Sequence, residues 1–150
     1  MIDLSTPIVP YVGTGIFKLY SSLSEIETIL KQNEISYEKE KLPPTDIDPP
    51  WIILVIKKDG SPRQHSIFEL FFANDSLFKI CLCEDFDGTL PNGIHTGMNL
   101  KKALQTDPKL QRDDDCDEIF ISHDGYSIEY SNRTLDVIII SIFTSEFEAI

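Results

Sequence analysis

The stretch Phe72–Ile80, FANDSLFKI, decides the fold of this 150-residue chain. Apolar residues flank Ala73-Asn74-Asp75-Ser76 on both sides, a pattern that predicts two antiparallel strands joined by a turn. Tyr130–Ile138, YSNRTLDVI, lines up with this stretch without gaps, so that an aromatic residue, a small residue, Asn, Ser or Thr, Leu and Ile recur in register. Hairpins can share turn residues for conformational reasons alone, but the order of the neighbouring elements repeats as well. We therefore interpret the two hairpins as copies from a diverged duplication.

A short helix is predicted before each hairpin. Ser22 and Glu25 have the spacing of a capping box, in which the Ser hydroxyl accepts from the Glu amide and the Glu side chain returns the bond. In the second half of the chain, Asn99 is a candidate N-cap. Helix and hairpin together predict two repeats, over residues 13–86 and 92–145.

Further apolar runs complete the prediction of an α+β protein. ISYEKEK, WIILVIKK, IFIS, YSIEYS and LDVIIISIF predict strands, whereas LPPTDIDPP is irregular because its prolines lack amide donors. We expect a single domain over residues 1–150, built from one continuous antiparallel sheet with short helices on one face.

The charge of the chain restricts its partners. The sequence has 13 basic and 25 acidic residues, a formal net charge of −12. Such a surface repels nucleic acid and anionic membranes, and it attracts a basic partner chiefly by raising the association rate. The alternative is that the acidic surface serves solubility only. We expect no nucleic-acid partner and no membrane partner, and we favour a basic protein.

The cysteines and histidines show no pattern of a metal or cofactor site. Cys81 and Cys83 stand two apart in a predicted strand, so they point to one face as small hydrophobes. His65, His95 and His123 stand apart from one another and from any nucleophile, and we expect them at the surface. MIDLSTPIVPYVG lacks the basic and apolar regions of a signal peptide, which favours a cytoplasmic protein with reduced thiols.

Asp85-Phe86-Asp87-Gly88-Thr89 follows an apolar run and resembles the nucleophile motif of the haloacid-dehalogenase phosphatases. The resemblance implies that Asp85 attacks the phosphoryl group, that Asp87 acts as general acid/base and that Mg²⁺ neutralises the charge. After the motif, however, the sequence predicts consecutive strands, which form antiparallel hairpins and not the parallel βαβ units of that family. We therefore expect no catalytic residue but a strand exit and a turn, with Gly88 at positive φ. The phosphatase is kept as the alternative.

Asp113–Glu118, DDDCDE, is the densest run of charge in the chain. It lacks the ligand spacing and the glycine of an EF-hand calcium loop. A solvated loop is one interpretation, and a docking surface for a basic protein is the other. On the second interpretation, the candidate partner-binding residues are Asp113, Asp114, Asp115, Asp117, Glu118, Glu84, Asp85 and Asp87. Asp46 and Asp48 are further candidates for that surface.

In size, acidity and paired units the chain resembles the bacterial immunity proteins of polymorphic-toxin and contact-dependent growth inhibition systems. The pattern GIHTGMNLKKAL … YSIEYSNRTLDVIIISIF is similar to the helix-plus-hairpin repeats of β-lactamase-inhibitor and outer-membrane-assembly lipoproteins. The resemblance implies a non-enzymatic antitoxin that covers the basic active cleft of a cognate toxin, such as a nuclease, with an acidic surface. A non-catalytic scaffold or ligand-binding domain is the remaining alternative.

Overall fold

The computed structural model describes residues 5–57 and 66–148. Its helices are α1 (Leu23–Gln32), α2 (Leu100–Thr106) and α3 (Ser145–Glu148). Its strands, in chain order, are β1 (Ile8–Val9), β2 (Gly13–Thr14), β3 (Phe17–Lys18), β4 (Glu38–Leu42), β5 (Trp51–Lys57), β6 (Ser66–Ala73), β7 (Ser76–Leu82), β8 (Gln111–Arg112), β9 (Ile119–Ser122), β10 (Tyr126–Tyr130) and β11 (Val137–Phe143). His65 lies outside the described residues. None of the described helices has the length and apolarity needed to cross a membrane.

Eight of the strands form one continuous sheet in the order β4-β5-β6-β7-β11-β10-β9-β8. Every neighbouring pair in this sheet is antiparallel. β4–β7 form one meander, β8–β11 form another, and the two join where β7 pairs with β11. β1, β2 and β3 form a separate small sheet. The prediction of an α+β protein with an antiparallel sheet and short helices is confirmed.

The two meanders have the same internal order. α1 precedes β4–β7, and α2 precedes β8–β11. Because the last strand of each meander lies at the centre of the sheet, an approximate twofold axis relates the two halves and passes between β7 and β11. A duplicated unit of one helix and four strands would produce this order. The duplication itself stays a prediction.

The gapless alignment of the two hairpins is wrong beyond the turn. In the first hairpin Asn74-Asp75 form a two-residue turn with φ angles of 51° and 59°, the left-handed conformation of a type I′ turn. In the second, Tyr130 pairs with Val137 across a longer turn. Val137 is therefore the structural counterpart of Leu77, and both side chains are fully buried, whereas Leu135 is 50% exposed.

The main hydrophobic core lies on one face of the eight-stranded sheet. α1 contributes Ile26 and α2 contributes Ala103. The Phe68 ring of the sheet lies 5.1 Å from the ring of Phe17 and 5.3 Å from that of Phe86, both near edge-to-face. The two helices, the small sheet and the loop after β7 thus cover one face together, which is the predicted position of the helix layer.

Both predicted helix starts are present. The Ser22 hydroxyl accepts from the Glu25 amide at 3.1 Å, and the Glu25 carboxylate accepts from the Ser22 amide at 3.3 Å. The Asn99 side chain caps α2 by accepting from the Lys101 amide at 3.0 Å. These caps satisfy amides that the first helical turn leaves unpaired.

Gly88 differs from its prediction, because its φ is not in the positive range. A Cβ at this position would lie 2.1 Å from the Thr6 carbonyl oxygen and 2.3 Å from the Phe86 ring. Glycine is therefore required at position 88 because the loop after β7 packs closely against the N-terminal segment, and not because the backbone forms a left-handed turn.

Candidate protein-binding face

The opposite face of the eight-stranded sheet lacks a cover comparable to α1 and α2 in the described part of the chain. Alternation along each strand sends every second side chain to this face. α3 packs here through Phe147, whose ring lies 5.1 Å from that of Phe78 and 5.5 Å from that of Phe143. We call this surface the open face. Its strand residues include Glu38, Glu40, Ile53, Val55, Ser66, Glu69, Phe71, Lys79, Cys81, Ile119, Ile121, Ser127, Glu129, Ile139, Ser141 and Phe143.

The open face is acidic. Within the described residues its strands and rim carry these carboxylates: Glu38, Glu40, Glu69, Glu84, Asp85, Asp113 and Glu129. Lys57 and Lys79 are the cations among them. Lys57 Nζ pairs with Glu38 at 2.8 Å, and Lys79 Nζ lies 5.1 Å from the centre of the Phe71 ring. The two cations are therefore outnumbered, and each already has a contact on the face.

One groove of about 410 Å³ lies where β6, β7 and β11 meet. It is lined by Ser66, Glu69, Cys83, Glu84, Asp85, Ile138 and Ile139, and we call it the acidic groove. The Ser66 hydroxyl donates to Glu69 Oε1 at 3.1 Å. Burial raises the pKa of the Cys83 thiol to about 12, so the thiol stays protonated at neutral pH and is a poor nucleophile.

A second groove of about 290 Å³ lies across β9, β10 and β11. It is lined by Lys79, Asp113, Ile119, Ile121, Ser127, Phe143 and Phe147, and we call it the apolar groove. Glu129 links the two grooves, because it pairs with Ile119 on one side and with Ile139 on the other. Burial raises the pKa of Glu129, and the charge of Lys79 acts in the opposite direction.

The two predicted acidic segments lie at the same end of the sheet. Residues 84–87 follow β7, and residues 113–118 connect β8 to β9. Because the sheet is antiparallel, β7 and β8 end where β9 and β11 begin. Three interstrand spacings, roughly 14 Å, separate β7 from β9, so the segments flank one surface without forming one cluster. Asp46 and Asp48 lie before β5, at the other end of the sheet.

The predicted partner-binding residues differ in exposure. Five of them are exposed: Glu84, Asp87, Asp114, Asp115 and Asp117. Asp85, Asp113 and Glu118 are half-buried. Glu118 accepts a hydrogen bond from Asn132 Nδ2, which lowers its pKa and ties the loop to the turn after β10. Asp85 and Asp113 line the grooves of the open face, and the neighbouring Asp114 and Asp115 are exposed.

The phosphatase-like motif has a different setting from the one its resemblance requires. β7 delivers it, and both neighbours of β7 are antiparallel to it. Phe86 is buried in the core between Asp85 and Asp87, and its carbonyl accepts from the Thr96 hydroxyl at 2.7 Å. Asp85 lines the acidic groove, whereas Asp87 is absent from that lining. Over residues 5–57 and 66–148, no group of three or more His, Cys, Asp or Glu side chains is arranged to hold a metal ion.

Glu69 and Glu129 were not among the sequence candidates. Each lies inside a strand between apolar neighbours, where a single carboxylate gives little signal. Alternation would have placed Glu69 on the face opposite Phe68 and Leu70, but only the packing of α1 and α2 against Phe68 and Leu70 shows which face they leave open. His95 is half-exposed and His123 is exposed, as expected.

The chain matches no protein-family model, no curated protein and no solved structure. Its function has to be inferred from the arrangement of its own residues.

Proposed function

We propose that this chain is an immunity protein of the cytoplasm, which neutralises a cognate basic toxin by covering the toxin's active cleft. The observation that carries the proposal is the acidic open face, with the exposed carboxylates of residues 84–87 and 113–118 at its rim. A nuclease is the toxin class that fits best, because its cleft is lined with the Lys and Arg side chains that bind phosphate backbones.

Charge complementarity would raise the association rate of the proposed complex. The chain has a net charge of −12, and opposite charge on a partner steers diffusional encounter. An antitoxin must bind before the toxin reaches its substrate, so a high association rate serves this function directly. The carboxylates of Asp114 and Asp115 are exposed and can contribute to such steering.

The open face supplies the contact area behind the rim. It combines half-buried apolar side chains, among them Ile119, Ile121 and Ile139, with the carboxylates of Glu69 and Glu129. Protein interfaces commonly join apolar anchors to a polar rim in this way. A face of this composition suits a protein partner better than a small anionic metabolite, which the carboxylates would repel.

The test is a binding experiment with the product of the gene immediately upstream, as the candidate toxin. We expect a salt-sensitive complex and loss of toxicity when the two proteins are co-expressed. Lysine substitutions at Asp113, Asp114, Asp115 and Asp117 should slow association by at least about tenfold and flatten its salt dependence.

The matched control for the double variant D114K/D115K is D46K/D48K, which also reverses two charges but lies at the other end of the sheet. It should change the association rate much less than the variants at residues 113–117. If the rim variants and the control change the association rate equally, the proposal that this rim steers association is wrong. If no basic partner is bound and no toxicity is suppressed, the immunity function is wrong.

A further inference from the structure

We infer that the open face receives one protruding segment of the basic partner, with an Arg or Lys in the acidic groove and an apolar side chain two residues away in the apolar groove. The partner's biological identity rests on the proposed function. The pairing of groove and side chain rests on the residues of the open face alone.

The acidic groove has the chemistry of a guanidinium or ammonium site. Glu69 stands on β6, while Glu84 and Asp85 stand on the chain that leaves β7, so carboxylates approach the groove from two sides. The Ser66 hydroxyl donates a hydrogen bond to one carboxylate oxygen of Glu69. The wall formed by Ile138 and Ile139 is apolar and suits the methylene stem of a long cationic side chain.

The apolar groove selects a different side chain. Phe143 and Phe147 form one wall, and Ile119 and Ile121 form the other. The ammonium of Lys79 lines the same groove and also lies 5.6 Å from the centre of the Phe147 ring. Lys79 would repel a second cation there, whereas an aromatic side chain of the partner would be attracted to its ammonium. The two grooves are therefore not interchangeable for the partner.

The spacing of the grooves fits neighbouring side chains of one extended segment. The acidic groove is centred on β7, and the apolar groove lies between β11 and β9, about two interstrand spacings away. The register also offsets the two grooves by about two residues along the strands, so that roughly 12 Å separates them. Residues i and i+2 of an extended chain lie on the same side and roughly 7 Å apart. The long stem of an Arg or Lys covers the remaining distance. Glu129 lies between the two grooves, so it would face the backbone that joins the two bound side chains.

The experiment uses the full chain, labelled with nitrogen-15, and short capped peptides as probes. The probe is Gly-Arg-Gly-Phe-Gly, used together with its reverse sequence because the direction of the segment is not fixed. Two control peptides remove one feature each: Gly-Glu-Gly-Phe-Gly lacks the cation, and Gly-Arg-Gly-Gly-Gly lacks the ring. Amide shifts report where each peptide binds, and titration gives its dissociation constant.

We expect shifts at Ser66, Glu69 and Ile139 and, separately, at Ile119 and Ile121. Either control peptide should bind at least about fivefold more weakly than the probe. Glu69→Gln should weaken binding of the probe by a similar factor, while the binding of Gly-Glu-Gly-Phe-Gly should not weaken. Asp46→Asn, remote from the open face, should leave the dissociation constant unchanged.

Shifts confined to residues 113–118 would show general attraction to the acidic rim and overturn the inference. Equal affinity for the probe and both controls, or no shift at millimolar peptide, would overturn it as well. These results are separate from the test of the immunity function. Peptide binding at the two grooves without any toxin partner would keep this inference and reject the function, and toxin neutralisation without peptide shifts would do the reverse.

Discussion

Cys81 Sγ and Ser141 Oγ lie 3.3 Å apart across the pairing of β7 with β11. The two residues are direct partners in the sheet. Their strands are the last of each meander, and each residue follows the hairpin turn of its own half at the same register. Cys81 and Ser141 are therefore counterparts, and the approximate twofold axis passes between them.

Ser141→Cys should allow a disulfide across this axis. The Thr144 amide donates to the Phe78 carbonyl, so these two residues form a hydrogen-bonded pair. Hydrogen-bonded and non-hydrogen-bonded pairs alternate along an antiparallel ladder, and Cys81 and Ser141, three positions away, form a non-hydrogen-bonded pair. The Cα atoms of such pairs are closer together than those of hydrogen-bonded pairs. A disulfide here would close a loop of 60 residues, for which chain entropy predicts up to about 4 kcal/mol of stabilisation. Urea denaturation of the oxidised and reduced variant measures the difference.

The wild-type chain is the control for that variant. Its Cys81, Cys83 and Cys116 are all unpaired in the fold, so oxidation without Ser141→Cys should leave the urea midpoint unchanged. A mass spectrum that still shows two free thiols at positions 81 and 141 after oxidation would contradict the register of β7 against β11.

Tyr126→Phe should destabilise the fold more than Tyr37→Phe. The Tyr126 hydroxyl donates to the carboxylate of Asp107, and both residues are buried. Removing the hydroxyl leaves a buried carboxylate oxygen without its donor, which costs about 1–3 kcal/mol. Tyr37 makes the same kind of bond to Glu27, but there Lys39 also pairs with the carboxylate, at 3.0 Å.

The comparison is made by urea denaturation of the two variants. Because Glu27 is closer to solvent and keeps its lysine, Tyr37→Phe should cost less than about 1 kcal/mol. Equal losses for the two variants would mean that water reaches Asp107 as easily as it reaches Glu27.

Gly88→Ala should destabilise the fold by more than about 2 kcal/mol, since the added carbon would overlap the Thr6 carbonyl and the Phe86 ring. Gly97→Ala is the matched control. Gly97 has a φ of +87° and nothing within 4 Å of an added Cβ, so its cost is limited to backbone strain of about 1 kcal/mol. If thermal unfolding ranks Gly97→Ala as the more harmful change, the loop packs less tightly on the N-terminal segment than described.

Glu129→Gln should stabilise the protein near neutral pH. Burial raises the pKa of Glu129 in the folded chain above its ordinary value of 4.5. The folded state therefore holds this proton more tightly than the unfolded state, and the side chain's contribution to stability falls as pH rises through that window. The neutral amide avoids the penalty, and the gain should stay below about 1 kcal/mol because the side chain is only half-buried.

Urea denaturation of the wild type and Glu129→Gln at about pH 7 and about pH 4 checks the sign of this pH dependence. At the lower pH Glu129 is largely protonated in the folded state, so the advantage of the amide should shrink. Glu40→Gln on the exposed edge strand is the control, and it should show little effect at either pH. A destabilised Glu129→Gln at both pH values would show that the carboxylate makes a favourable contact.

The purified chain should not hydrolyse phosphomonoesters in the presence of Mg²⁺. Asp85 and Asp87 flank the buried Phe86 and do not line one groove together. The assay compares the wild type with Asp85→Asn, using a chromogenic phosphate ester. Turnover that Asp85→Asn abolishes would restore the phosphatase as the function.

Local features of the fold could be predicted from the sequence because short-range chemistry determines them. The Ser22–Glu25 capping box, the Asn99 cap and the hairpin turn within residues 73–76 each depend on a few adjacent residues. The length of the second hairpin turn could not be predicted, because Leu135 and Val137 are both apolar and either could have been the buried one.

The site was harder to predict than the fold. Asp113–Asp115 and Glu84–Asp87 are visible as charge in the sequence, and the strand order places both segments at one end of the sheet. Glu69 and Glu129 become candidates only when the β7–β11 pairing joins the two halves into one sheet and the helices are seen to pack on its other face. Both arrangements are long-range, and local pattern contains little information about them.

The central position of β11 has a consequence for how the chain folds. β11 is the last strand of the sheet in sequence, yet it lies at the centre of the sheet, where it pairs with β7. Each meander can form from local contacts, but β7 and β11 both remain unpaired edges until the halves meet. Two chains that meet in this state can exchange halves, since β11 of one offers β7 of the other the same partner. Refolding at high concentration thus favours domain-swapped dimers, in which the loop after β7 serves as the hinge.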